Sequence, residues 1–159
     1  MGKLDLILRI VQTAATVIIG AAASVLAYQQ FKISKAKLKL DLYEKRLALF
    51  QATHGFVLSI ANLEYDSHLN IKKAAVKFES ETAERFFLFN EDVWGYLDEL
   101  CRKARILNDV EAELSIVDQF DSKRSENVMR TIELRGWFQD QATDMVQVFR
   151  QYLSIKSLN

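Results

Sequence analysis

The chain has 159 residues, half of them apolar and 26% charged, so it is not a disordered polymer. It has no proline and five glycines, which disfavours a turn-rich sandwich or barrel, and its single cysteine excludes a disulfide framework. Formal net charge is zero, so nucleic acid is not an expected partner.

The zero net charge hides a pattern. Residues 1–31 carry a net of +1. Residues 32–46 hold six cations (Lys32, Lys35, Lys37, Lys39, Lys45 and Arg46) against Asp41 and Glu44, and the remainder is acidic. The basic block directly follows the least charged stretch of the chain.

After a short N-terminal segment, 1–9, residues 10–31 contain no charged side chain. About 20 residues of helix cross a bilayer core. Arg9 and Lys32 bracket this run, and Tyr28 and Phe31 sit where an interfacial aromatic belt lies. Gln12, Thr13, Thr16 and Ser24 make it only moderately apolar. An in-plane amphipathic helix is a rival reading, but the run lacks the Lys or Arg face such helices carry. A cleaved signal peptide is another, with Val25-Leu26-Ala27 as a tolerable site. Asp5 and the basic block behind the run disfavour export. The spacing therefore predicts a transmembrane helix over 10–31. Cations behind it predict, by the positive-inside rule, a cytoplasmic C-terminal part. Thr16, Gly20 and Ser24 share one face, broadened by Ala23 and Ala27, and small residues so spaced let helices approach closely in lipid. They are the candidate homo-oligomer face.

No glycine or proline interrupts the chain after the run, so a basic juxtamembrane helix, 32–46, is expected to lead as one rod into a helical bundle, 47–159. Ala36, Leu40, Tyr43, Leu47, Phe50, His54, Val57 and Ala61 step by four and three, a helical seam at coiled-coil spacing. Leu42, Leu49, Phe56 and Leu63 form a second apolar line. A turn is expected near Glu64–Asn70, then a helix over Ile71–Phe87. Asn90 before Glu91 and Asp92 reads as an N-cap with carboxylates in the first turn of a helix reaching about Leu114. Asp118–Glu126 reads as a loop. A last helix, about Asn127 to Leu153, has its seam at Phe138, Ala142, Met145, Phe149 and Tyr152. The fold class is all-α: an N-terminal transmembrane helix continuing into a cytoplasmic four-helix bundle.

Leu40-Asp41-Leu42-Tyr43-Glu44-Lys45-Arg46 after a spanning helix, Arg85-Phe86-Phe87-Leu88-Phe89 before an acidic helix start, and Trp137-Phe138 with Tyr152-Leu153 occur together. In these tracts the chain resembles an uncharacterised family of small bacterial single-pass membrane proteins with a cytoplasmic helical domain. The resemblance covers nearly the whole chain. It implies that topology and a bacterial inner membrane, and it carries over no activity and no functional residue. Relatives often have glycine where Asn90 stands, and both residues suit turn geometry.

Catalytic patterns are absent. His54 lies on the apolar seam and reads as a core or interface histidine. Glu64 and His68 are two ligands where a metal site needs three or four. There is no nucleophile elbow and no phosphate-binding glycine loop. Cys101 reads as a buried, inert thiol. Leu6 stands where a myristoylation signal after Gly2 needs Ser or Thr. No enzyme activity, metal or cofactor is expected.

The block Lys32, Lys35, Lys37, Lys39, Lys45 and Arg46 is the candidate site for anionic lipid headgroups. Lys72, Lys73 and Lys77, and Arg102, Lys103 and Arg105, read as solvated helix faces, with a phosphate-bearing ligand as the functional alternative. The Phe86–Phe89 run is expected to plug the bundle end, with a partner-binding patch as the alternative. The expected function is a membrane-anchored, self-associating interaction or scaffold module with an unknown protein partner and the lipid bilayer. The alternative is a ligand-gated membrane effector or sensor, for example in bacterial antiviral defence.

Overall fold

In the computed structural model, residues 2–62, 68–116 and 122–154 are described. They form five helices in the order α1 (Gly2–Asn62), α2 (His68–Glu81), α3 (Arg85–Leu88), α4 (Glu91–Ile116) and α5 (Ser122–Leu153). No strand occurs among the described residues. Without proline, nothing in α1 breaks the backbone ladder. The predicted turn over Glu64–Asn70 and most of the Asp118–Glu126 loop fall where residues 63–67 and 117–121 lie outside the described residues. α5 begins at Ser122, earlier than the pattern suggested.

The chain divides into two compact units, Met1–Asp41 and Leu42–Asn159. In the first, α1 has no buried residue among those described. In the second, residues 42–62 of α1 join α2, α3, α4 and α5 around one core. Phe56 stacks on Phe78 at 4.2 Å and meets Phe138 edge-on at 6.2 Å, while Phe149 takes the edges of Phe50 and Phe89. Offset and edge-to-face rings add about 0.5–1.5 kcal/mol per pair beyond area burial.

The line Leu49 and Phe56 is the one that enters the core, with Thr53, Val57 and Ile60 beside it. The four-three seam is split. Val57 is buried and Phe50 half-buried, but Leu40 and His54 are exposed and Leu47 is only half-buried. His54 is therefore not a core histidine of this chain. A seam fixes which residues share a stripe, but the burial stripe of α1 is rotated toward Leu49 and Ile60.

The helix expected over Ile71–Phe87 stops at Glu81. Thr82 is buried, and both its hydroxyl and its N–H donate to the Phe78 carbonyl, at 2.8 and 2.9 Å. The N–H of Arg85 then donates to the Thr82 carbonyl at 3.0 Å, and α3 is a single turn. This turn divides the aromatic run. Leu88 and Phe89 point into the core, whereas Phe86 is half exposed and Phe87 is 88% exposed. At α4, the N–H of Val93 donates to Asn90 Oδ1 at 3.4 Å, the expected N-cap.

Candidate membrane segment and interaction surfaces

One helix, α1, is long and apolar enough to cross a membrane by length and composition. Every residue from Val11 to Phe31 is exposed. The hydroxyls here are satisfied within the helix: Thr13 donates to the Arg9 carbonyl, Thr16 to that of Gln12 and Ser24 to that of Gly20, each at 2.8 Å. Such bonds remove the donor cost of burying hydroxyls in lipid and leave oxygen lone pairs for a neighbouring helix. Thr16, Gly20 and Ser24 are exposed, and a Cβ added at Gly20 meets nothing within 4 Å.

The six juxtamembrane cations fall in different surroundings. Lys32 sits over the Tyr28 ring at 5.0 Å, and Lys35 and Lys37 are exposed. Lys39 is half-buried. Lys45 and Arg46 belong to the second unit. Lys45 pairs with Glu84 at 2.6 Å. Arg46 donates to the Leu88 carbonyl at 3.0 Å and lies over the Phe89 and Tyr152 rings. Arg46 thus holds α3 to α1 and the end of α5, a role that a run of cations in sequence does not distinguish from lipid contact.

The other cationic groups are largely neutralised. Arg102 forms a two-point hydrogen bond with Glu99, which holds the Glu99 carboxyl below its usual range. Lys103 reaches Glu99 at 4.0 Å and lies over Trp137. Arg105 pairs with Glu79, and Lys77 with Glu81. A phosphate would have to compete with these carboxylates. Lys72 and Lys73 are exposed on α2.

Cys101 is buried, and desolvation, with a smaller push from Glu79, raises its thiol to about 11. Burial also raises the Tyr96 phenol, helped by Asp144. Among the described residues no three His, Cys, Asp or Glu side chains converge as a metal site. Glu64 lies outside the described residues, so its pairing with His68 has no geometry here.

Two features escaped the sequence reading. One is a buried ion pair: Glu111 Oε1 accepts from Nε and Nη2 of Arg135, with side-chain exposures of 3% and 10%. The i,i+3 and i,i+4 spacings used for pairs within a helix cannot reveal a contact between α4 and α5. The other is a groove of about 1000 Å³ between α1 and α2. Ala48, Ala52, Gly55 and Ser59 form its α1 wall, Leu49, Phe56 and Phe78 contribute apolar lining, and Lys45 with Glu84 contributes polar lining. The missing charge in 47–62 was a readable signal for this face.

No protein-family model, curated protein or solved structure matches the chain.

Proposed function

We propose that this chain is a membrane-anchored helical interaction module, self-associating and without catalytic activity. The observation that carries the reading is the contrast along α1. Val11–Phe31 is exposed, free of formal charge and satisfied in its hydroxyls, whereas the residues after Leu42 help build a core. Such a segment is costly in water and stable in hydrocarbon. The second unit is read as a four-helix bundle of α1 after Leu42, α2, α4 and α5, with α3 as a plug.

The cations behind the segment support a single pass with the bundle in the cytoplasm of a bacterial cell. Lys32, Lys35 and Lys37 are placed to attract anionic headgroups at about 1 kcal/mol each. Thr16, Gly20 and Ser24 offer the close-packing face for self-association. A protein partner, rather than a substrate, fits a surface rich in paired charges.

Reporter fusions at the C-terminus, one active only in the cytoplasm and one only outside it, test this topology. The cytoplasmic reporter is expected to be active, and alkaline washing is expected to leave the protein in the membrane. Release by the wash, or activity of the external reporter, refutes it.

A further inference from the structure

In the second unit, the outward face of α1 differs from the outward faces of its neighbours. Residues 47–62 contain no Asp, Glu, Lys or Arg. Ala48, Gln51, Gly55, Leu58 and Asn62 are all exposed there, and they recur at three-four spacing along one stripe. By contrast, α2 exposes Lys72, Lys73 and Lys77, α4 exposes Asp98, Arg102 and Arg105, and α5 exposes Arg130, Glu133 and Asp140. A four-turn solvent face without formal charge is unusual for a helix on a globular unit, and depletion of charge marks interface centres. The groove of about 1000 Å³ runs beside this stripe, with Ala48 and Gly55 on its wall. Gly55 costs about 0.5–1 kcal/mol relative to alanine inside a helix. A Cβ there meets nothing within 4 Å, so no contact within the chain requires glycine.

We infer that this stripe is where a second copy of the chain docks, α1 against α1 in parallel. The inference rests on the self-association reading above and locates a contact in the second unit. A parallel two-fold brings each residue against its own copy, so any formal charge on the stripe would meet itself. Among the outward faces compared, only that of α1 over 47–62 is free of this repulsion. Small residues at Ala48 and Gly55 permit close backbone approach. In sequence, Gly20 and Gly55 lie a whole number of heptads apart, so one register serves both.

The extent of the face sets how it acts. Sixteen residues of helix make a strip about 24 Å long and about 10 Å wide. That is well below the roughly 800 Å² per partner of a stable interface. The contact therefore forms between chains already held together by their membrane segments, where effective concentration replaces area.

Single cysteines in the full-length chain, oxidised in phospholipid vesicles with copper-phenanthroline, test this. Native Cys101 is buried, and the unsubstituted chain supplies the background. Ala48→Cys and Gln51→Cys are expected to give disulfide dimers, whereas Lys73→Cys on α2 and Glu133→Cys on α5 are not. Gly20→Cys reports association of the membrane segments separately. Adding Gln51→Lys to Ala48→Cys should lower dimer yield by about tenfold, because like charges across a contact cost more than 1.4 kcal/mol. Dimers at Gly20→Cys without dimers at Ala48→Cys and Gln51→Cys overturn the inference and leave self-association standing. Equal yields at Ala48→Cys, Lys73→Cys and Glu133→Cys also overturn it. Absence of dimers at every position overturns both.

Discussion

Replacing Arg135 by methionine should destabilise the second unit severely while changing little of its shape. Arg135 is 8% exposed and Glu111 5% exposed, and both guanidinium donors of the pair go to one carboxylate oxygen. In Arg135→Met the Glu111 carboxylate stays buried without a counter-charge. Losing one partner of a buried pair costs about 3–5 kcal/mol, against a total stability of about 5–15 kcal/mol for a domain. The cost should not come from lost attraction alone, because desolvation opposes the pair when it is intact. The double variant Glu111→Leu with Arg135→Met removes both charges at similar volume and is expected within about 1 kcal/mol of the parent. Glu111 Oε2 has no hydrogen-bond partner in the chain, so the parent network gives up little when removed. Urea denaturation of residues 42–159, followed by far-ultraviolet circular dichroism, gives all four corners of the cycle. A single variant costing under about 1 kcal/mol, or a double variant as unstable as the sum of the singles, refutes the reasoning.

The same fragment should show a helix-dominated spectrum and a cooperative melt, and a strand-rich spectrum or absence of a transition would count against an independent helical unit. Phe149→Asp, at 0% exposure, should unfold it with a loss of about 4 kcal/mol or more, while half-buried Leu47→Asp should cost distinctly less, both read from urea midpoints. Cys101 should react with an aromatic disulfide reagent near neutral pH only after denaturant is added. Its raised thiol also sets a sign. Between the ordinary value of 9.0 and about 11, the unfolded chain loses this proton before the folded chain does. Its contribution to stability therefore falls across that window, and Cys101→Ser should flatten the alkaline limb of a stability–pH curve.

Particular residues show how far sequence reaches. The absence of proline, the uncharged run over 10–31 and the cations behind it are properties of the chain itself, and they were enough to foresee an all-helical protein with one span-length helix. Asn90 worked as an N-cap because a cap is a local hydrogen bond between near neighbours. Tertiary structure decided the rest. Both apolar lines on α1 satisfy helical spacing, and only packing against α2 and α5 chose Leu49 and Phe56 over Leu47 and His54. The turn at Thr82 arises where a buried hydroxyl takes the Phe78 carbonyl, and it turns Phe87 outward while Phe89 goes in. Arg46 became a clamp on α3 and Glu111 a partner for Arg135, through contacts across 42 and 24 residues of sequence. Periodicity sees faces and local bonds. Which face is covered depends on elements distant in the chain, and their approach is set by the whole core.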